Sequence, residues 1–132
     1  DSHRRQRQMC IRDSLKSVAS IRMMFDKKEH NESGSGNGGY DAFMSAVKKI
    51  LKKHHLQCPQ LLDYQIRIPR GGQTDALTES IITWDMNGKR VQTVGIDPDQ
   101  VMAAVNATLK MLNLHLMQLD QINDKYLVES AA

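Results

Sequence analysis

The strongest constraint on this chain is an echo between its two halves. Asp41-Ala-Phe-Met44-Ser-Ala46-Val47 and Asp99-Gln-Val-Met102-Ala-Ala104-Val105 repeat one pattern, each just after a glycine-bearing strand end. A strand layer and a helix each bury one apolar face against the other. A repeated strand-to-helix junction therefore predicts two copies of one small unit. The expected fold class is α+β, with duplicated strand-strand-strand-helix units and helices packed on antiparallel sheets.

The second copy is the easier to read. "LLDYQIRI" alternates, with Tyr64, Ile66 and Ile68 on one side and Gln65 and Arg67 on the other. "ALTESIITWDM" is a second strand, "NGK" a hairpin turn and "RVQTVGI" a third strand. "DPDQ" then opens a helix, with Asp97 as expected N-cap, Pro98 at the first helical position and Gln100 completing a capping box. Val101, Ala104, Val105, Thr108 and Leu112 form its inner face. In the first copy, "VASIRMMF" is a strand and a polar stretch leads into "GSGNGG". The helix "YDAFMSAVKKILKKHH" follows, with Phe43, Val47, Ile50, Leu51 and His54 on one face. Only two strands are legible in this copy, so its first unit is expected to be truncated. The run Lys48, Lys49, Lys52 and Lys53 reads as a solvated face near the helix C-terminus, where cations suit the dipole.

The N-terminal segment stands apart. "RRQRQMCIRDS" has no assignable apolar period, and Arg4 to Asp13 resembles, residue for residue, the translation of a transposase-type sequencing adapter. Residues 1–14 are therefore expected to be an artefact, not native, and to add nothing to the fold. Arg4, Arg5, Arg7, Arg12 and Asp13 together carry +3, which equals the formal charge of the whole chain. The remainder is neutral, which argues against a nucleic-acid partner. No apolar run approaches the roughly 18 residues of a membrane span. No apolar segment follows the N-terminal arginines, as a secretory signal would require. With Cys10 set aside, Cys58 cannot form an internal disulfide, which suits a reducing cytoplasm.

Little in the residues points to chemistry. "GSGNGG" matches G-x-G-x-x-G formally, yet lacks the buried parallel strand that a dinucleotide site needs. A nucleotide-binding enzyme domain and a nucleic-acid module stay open as alternatives. Binding of a nucleotide would favour the first, and salt-dependent binding without residues 1–14 the second. Cys58 could act as a nucleophile only with a base such as His54 or His55; a partly buried thiol is the plainer reading. His30, His54, His55 and His115 show no metal-ligand spacing, and no catalytic set stands out. Asp41 and Asp99 lie near helix starts, where backbone N–H groups attract a carboxylate. A helix start with an aspartate could hold both ends of an amino acid, or the aspartates could simply stabilise the helices.

"GSGNGGYDAFMSAV", "LLDYQIRIPRGGQTDALTESIITW" and "GIDPDQVMAAVNATLKMLN" occur together and in order. They resemble the C-terminal regulatory domain of the 2-isopropylmalate synthase and citramalate synthase family. The resemblance covers about residues 15–114; residues 115–132 read as a C-terminal extension, an added helix. It implies a feedback-regulatory, homodimeric domain of a cytoplasmic enzyme that condenses acetyl-CoA with a 2-oxo acid. The catalytic barrel, with its divalent metal and acetyl-CoA, would lie outside this chain, leaving it no cofactor and no activity alone. The implied effector is leucine or isoleucine, with "LLDYQIRIP" and "TDALTE" more similar to the citramalate type. Carried over by motif, Tyr40, Asp41, Leu61, Tyr64, Ile68, Thr74, Pro98 and Gln100 would contact it.

Overall fold

The computed structural model describes the backbone of residues 7–12, 17–25, 28–68 and 77–131, and the side chains of 17–24, 28–68 and 77–118. It divides into two compact units, Asp1–Cys58 and Pro59–Ala132. Unit 1 holds β1 (Arg7–Arg12), β2 (Ser17–Phe25), β3 (Lys28–Gly36) and α1 (Gly39–Lys53). Unit 2 holds β4 (Gln60–Arg67), β5 (Thr78–Met86), β6 (Lys89–Asp97) and α2 (Gln100–Ala131). Each sheet is antiparallel and three-stranded, in the orders β1-β2-β3 and β4-β5-β6. The α+β architecture of repeated strand-helix units is therefore present.

The two-stranded, truncated first unit is corrected. Arg7–Arg12 forms β1, whose backbone pairs with β2 from Arg7↔Met23 to Arg12↔Val18. Strand pairing is made by main-chain groups, which every residue but proline offers. An arginine-rich segment can thus complete a sheet edge whatever its origin. Whether these residues add to the stability of the fold is decided by removing them. Removing residues 1–14 is expected to lower the thermal midpoint by ~3–5 °C, the shift that about 1 kcal/mol causes in a chain of this size. A calorimetric scan of the shortened chain checks this, and an unchanged midpoint would show that β1 contributes nothing.

The core of each unit lies between helix and sheet. Ala19, Ile21 and Met23 alternate on the buried face of β2, beneath Phe43, Val47, Ile50 and Leu51 of α1. In unit 2 the same places go to Ser80, Ile82, Trp84 and Met86 of β5, beneath Ala104, Val105, Met111 and Leu112 of α2. Trp84 donates its indole N–H to the Thr93 hydroxyl at 2.9 Å, so its one polar atom is satisfied in the core.

The two units superpose in sequence at a fixed displacement of 61 residues, since β2 begins at 17 and β5 at 78 (78 − 17), and β3 begins at 28 and β6 at 89 (89 − 28). α1 and α2 begin at 39 and 100, which is again 61 apart (100 − 39). The echo read from Asp41 to Asp99 is displaced by 58 residues (99 − 41) and is corrected by three. Three residues are nearly one helical turn, so the same apolar stripe reappears and the wrong register looks right. Two glycines fix the true one. A Cβ on Gly34 would lie 2.5 Å from the Ala46 nitrogen and 2.6 Å from the Ala42 oxygen. A Cβ on Gly95 would lie 2.0 Å from the Ala103 oxygen and 2.5 Å from the Ala107 nitrogen. Each glycine lets a helix backbone rest directly on its neighbouring strand.

Two local details follow. Asn87 and Gly88 take φ of 54° and 86°, the left-handed pair that a two-residue hairpin turn needs. α2 runs unbroken past residue 114, and His115 and Leu116 are buried on it.

Candidate functional site

The expected site residues fall into a polar set in unit 1 and a largely apolar set in unit 2. Tyr40 and Asp41 occupy the first turn of α1. Gly38 is the N-cap there, extended at φ −149°, and among the described residues no side chain caps the helix. Its own carbonyl accepts from the Ala42 N–H at 3.0 Å. A Cβ on Gly38 would meet nothing within 4 Å, so the space before the helix is open. The first N–H groups of α1 thus carry the positive end of the helix dipole toward open space. Asp41 is exposed beside them. It also ends an open groove of about 430 Å3 lined with Met44, Ser45, Lys48, Lys49 and Lys52. The half-buried Tyr40 packs its ring 6.1 Å from that of Phe43.

α2 begins differently. The Asp99 carboxylate accepts from the N–H groups of Val101 at 2.7 Å and Met102 at 3.2 Å, and so fills that helix end itself. Asp97, the expected N-cap, instead accepts from the Asp99 N–H at 2.9 Å. The cap moves two residues on because Asp97 is committed to that turn and Pro98 has no N–H to offer. Pro98 and Gln100 flank the cap, both exposed. Asp41 and Asp99, alike in the sequence, are therefore unlike in structure: at the 61-residue displacement Asp99 matches Gly38, and Asp41 matches Met102.

In unit 2, Leu61 pairs with Trp84 and Tyr64 with Ile82, so both lie on the sheet face that α2 covers over β5 and β6. α2 does not extend that cover to β4. Leu61 is 38% exposed, Ile66 46% and Ile68 66%. Tyr64 is half-buried, with its hydroxyl 3.4 Å from that of Ser80. A β-bulge between Leu61 and Asp63 adds a further exposed leucine, Leu62. These residues are not core, whereas Ile82 and Trp84 are fully buried. Leu61 and Ile68 stand at opposite ends of β4, and Ile68 shares its end of the sheet with Pro98 at the close of β6. Thr74 lies outside the described residues.

"GSGNGG" has a packing role. Gly34 and Gly36 end an antiparallel edge strand, and α1 backbone or the Asp41 side chain occupies the space their Cβ atoms would need. The parallel strand that a dinucleotide fingerprint requires is not what precedes it. Cys58 is partly buried, and that burial pushes its thiol up, against the nearby Lys48 charge, so the nucleophilic thiolate is disfavoured.

One cluster escaped the sequence reading. His30 on β3 and His54 at the α1 C-cap, 24 residues apart, bring Nδ1 and Nε2 to 3.1 Å, with rings edge-on at 82°. Beside them Lys53 pairs with Glu32 at 2.6 Å, and this hydrogen bond holds the Glu32 carboxyl below the usual carboxylate range. No motif could announce the pair, because only the packing of α1 on β3 brings the two rings together. Among the described residues, no three His, Cys, Asp or Glu side chains converge as metal ligands, and no helix is long and apolar enough to cross a membrane.

Comparison with known proteins bears on these features as a whole. The chain is 30% identical over 110 residues to the 2-isopropylmalate synthase of Aquifex aeolicus, covering 83% of this chain and 20% of that protein. It is 33% identical over 99 residues to the Methanosarcina mazei protein named "Putative (R)-citramalate synthase CimA", covering 73% and 20%. It is 31% identical over 106 residues to the 2-isopropylmalate synthase of Pseudoalteromonas atlantica, covering 80% and 19%. The chain thus spans about a fifth of the length of these relatives. The family profile described as the LeuA allosteric (dimerisation) domain matches residues 5–116, from just before β1 into α2. With both duplicated units inside that match, the chain belongs to the LeuA allosteric (dimerisation) domain family.

Proposed function

We propose that this chain is the feedback-regulatory segment of an enzyme that condenses acetyl-CoA with a 2-oxo acid. Its effector is a branched-chain amino acid, leucine or isoleucine. The observation that carries the reading is the open, uncapped start of α1 with the Asp41 carboxylate exposed beside it. The N–H groups at this helix start suit the ligand carboxylate and Asp41 suits its ammonium. The start of α2 already holds a carboxylate of its own, that of Asp99. Within unit 1, Tyr40 and Asp41 suit polar recognition of an amino acid. Leu61, Tyr64 and Ile68, exposed or half-buried on β4, suit a branched apolar side chain. Thr74, Pro98 and Gln100 complete the set implied by the family motifs. The family's description as a dimerisation domain supports a homodimer, for which the exposed β4 residues offer apolar surface. The parent enzyme works in the cytoplasm. Its divalent metal and acetyl-CoA are held by a catalytic barrel rather than by residues of this chain, which alone turns over no acetyl-CoA.

Calorimetric titration with isoleucine, leucine and valine tests the reading. Isoleucine or leucine is expected to bind tightest. Asp41→Asn should weaken binding about tenfold or more, since a charge-assisted hydrogen bond contributes roughly 1.5–3 kcal/mol and each 1.4 kcal/mol is a decade. Tyr64→Ala should weaken it by removing apolar wall. If none of the three amino acids binds the folded chain, the regulatory reading fails. If Asp41→Asn binds as tightly as the parent, the ammonium is held elsewhere.

A further inference from the structure

The His30–His54 pair is independent of the proposed effector site: it lies at the opposite end of α1 from Asp41. We propose that His30 Nδ1 and His54 Nε2 form a two-ligand site for a divalent transition-metal ion of the zinc type. The ion would clasp the start of β3 to the C-terminal end of α1.

The argument is geometric. Two imidazole nitrogens each about 2.0–2.1 Å from one ion, at ligand angles between square and tetrahedral, lie about 2.8–3.4 Å apart. The observed separation is 3.1 Å. The backbone already presents both rings at chelating distance, so a ring rotation suffices to aim both lone pairs at one ion. Both side chains are half-buried, which limits their freedom and lowers the entropy lost on binding. Imidazole suits zinc, copper and nickel among the common divalent ions. The proton balance closes without a co-reactant. One ring now donates N–H to the other's lone pair, and on coordination that proton moves to the donor ring's second nitrogen. Nothing is oxidised, and water fills the remaining coordination positions. The neighbouring charge is partly compensated, because Lys53, adjacent to His54, is paired with Glu32.

At the 61-residue displacement His54 matches His115 and His30 matches Val91, so unit 2 keeps one imidazole and lacks the second. The two-nitrogen arrangement is confined to unit 1.

The test is calorimetric titration of zinc chloride into the full chain carrying Cys10→Ser and Cys58→Ser, which removes competing thiolates. One saturable site per chain is expected. His30→Gln and His54→Gln should each weaken it at least ~10-fold, and His55→Gln should leave it within about twofold. Circular dichroism confirms that each variant is folded. Should either fail to fold, histidine ring resonances of the unsubstituted chain decide the matter: zinc should shift those of His30 and His54 together. Absence of saturable binding up to about millimolar zinc would falsify the proposal, as would retention of full affinity in both variants. Shifts centred on any other histidine ring overturn it equally.

Discussion

Trp84→Ala should lower the stability of the chain by about 3–5 kcal/mol, the range for deleting a large aromatic side chain from a packed core. Trp84 is fully buried on the central strand β5, under α2 and between Leu61 of β4 and Val91 of β6. Its removal opens a cavity that three strands and a helix cannot close without moving main chain. It also strips the Thr93 hydroxyl, 5% exposed, of its indole partner. A buried polar group left without its hydrogen bond adds roughly 1–3 kcal/mol. Domains of this size are stable by about 5–15 kcal/mol, so the variant should sit near or below the unfolding threshold at physiological temperature. Urea unfolding followed by far-ultraviolet dichroism measures it, since the variant loses the chain's one tryptophan fluorophore. Trp84→Phe keeps most of the ring volume and should cost clearly less. Equal losses for the two variants would show that the indole hydrogen bond dominates, and a loss below about 1 kcal/mol would contradict the burial of Trp84 altogether.

Gly95→Ala is the second large effect, and it adds one methyl group. Overpacking a core usually costs about 1–3 kcal/mol, because flexible side chains give way. Here the obstacles are the Ala103 carbonyl oxygen at 2.0 Å and the Ala107 nitrogen at 2.5 Å, both main-chain atoms of α2. Neither can move without lifting the helix from β6, so the cost should reach or exceed the top of that range. Gly34→Ala should behave alike in unit 1, where α1 backbone stands at 2.5 and 2.6 Å. Gly38→Ala is the contrast: a Cβ there meets nothing within 4 Å, so only the poorer capping of Ala counts, about 0.5–1 kcal/mol. Thermal unfolding of the three variants gives the order. If Gly95→Ala melts with Gly38→Ala, the close seat of α2 on β6 is wrong.

The self-capped start of α2 and the uncapped start of α1 make the duplicated units structurally unequal. Two copies of one unit offer two helix N-termini, and in unit 2 the chain answers with its own carboxylate. A ligand carboxylate would compete with Asp99 there, whereas no described side chain caps the start of α1. This difference is why the effector reading rests on Asp41 and not on its apparent twin in the sequence.

The sequence by itself determined the period-2 strands, the amphipathic helices, the hairpin at Asn87-Gly88 and the fact of duplication. Each is set by interactions within a few residues, or by a pattern that must repeat to bury one face. The motifs that carry the family resemblance are equally local. Tertiary structure alone decided the rest. The true register of the repeat depends on where the helix backbone meets Gly34 and Gly95, and three residues along a helix leave the apolar stripe nearly unchanged. β1 is decided by an open sheet edge, since main-chain hydrogen bonds recruit a strand with little regard for its side chains. The exposure of Leu61, Ile66 and Ile68 follows from how far α2 reaches across its sheet, which no alternation of residues encodes. The meeting of His30 with His54 follows from the angle at which α1 crosses β3. Sequence patterns record which face of an element is apolar; only packing decides what that face meets.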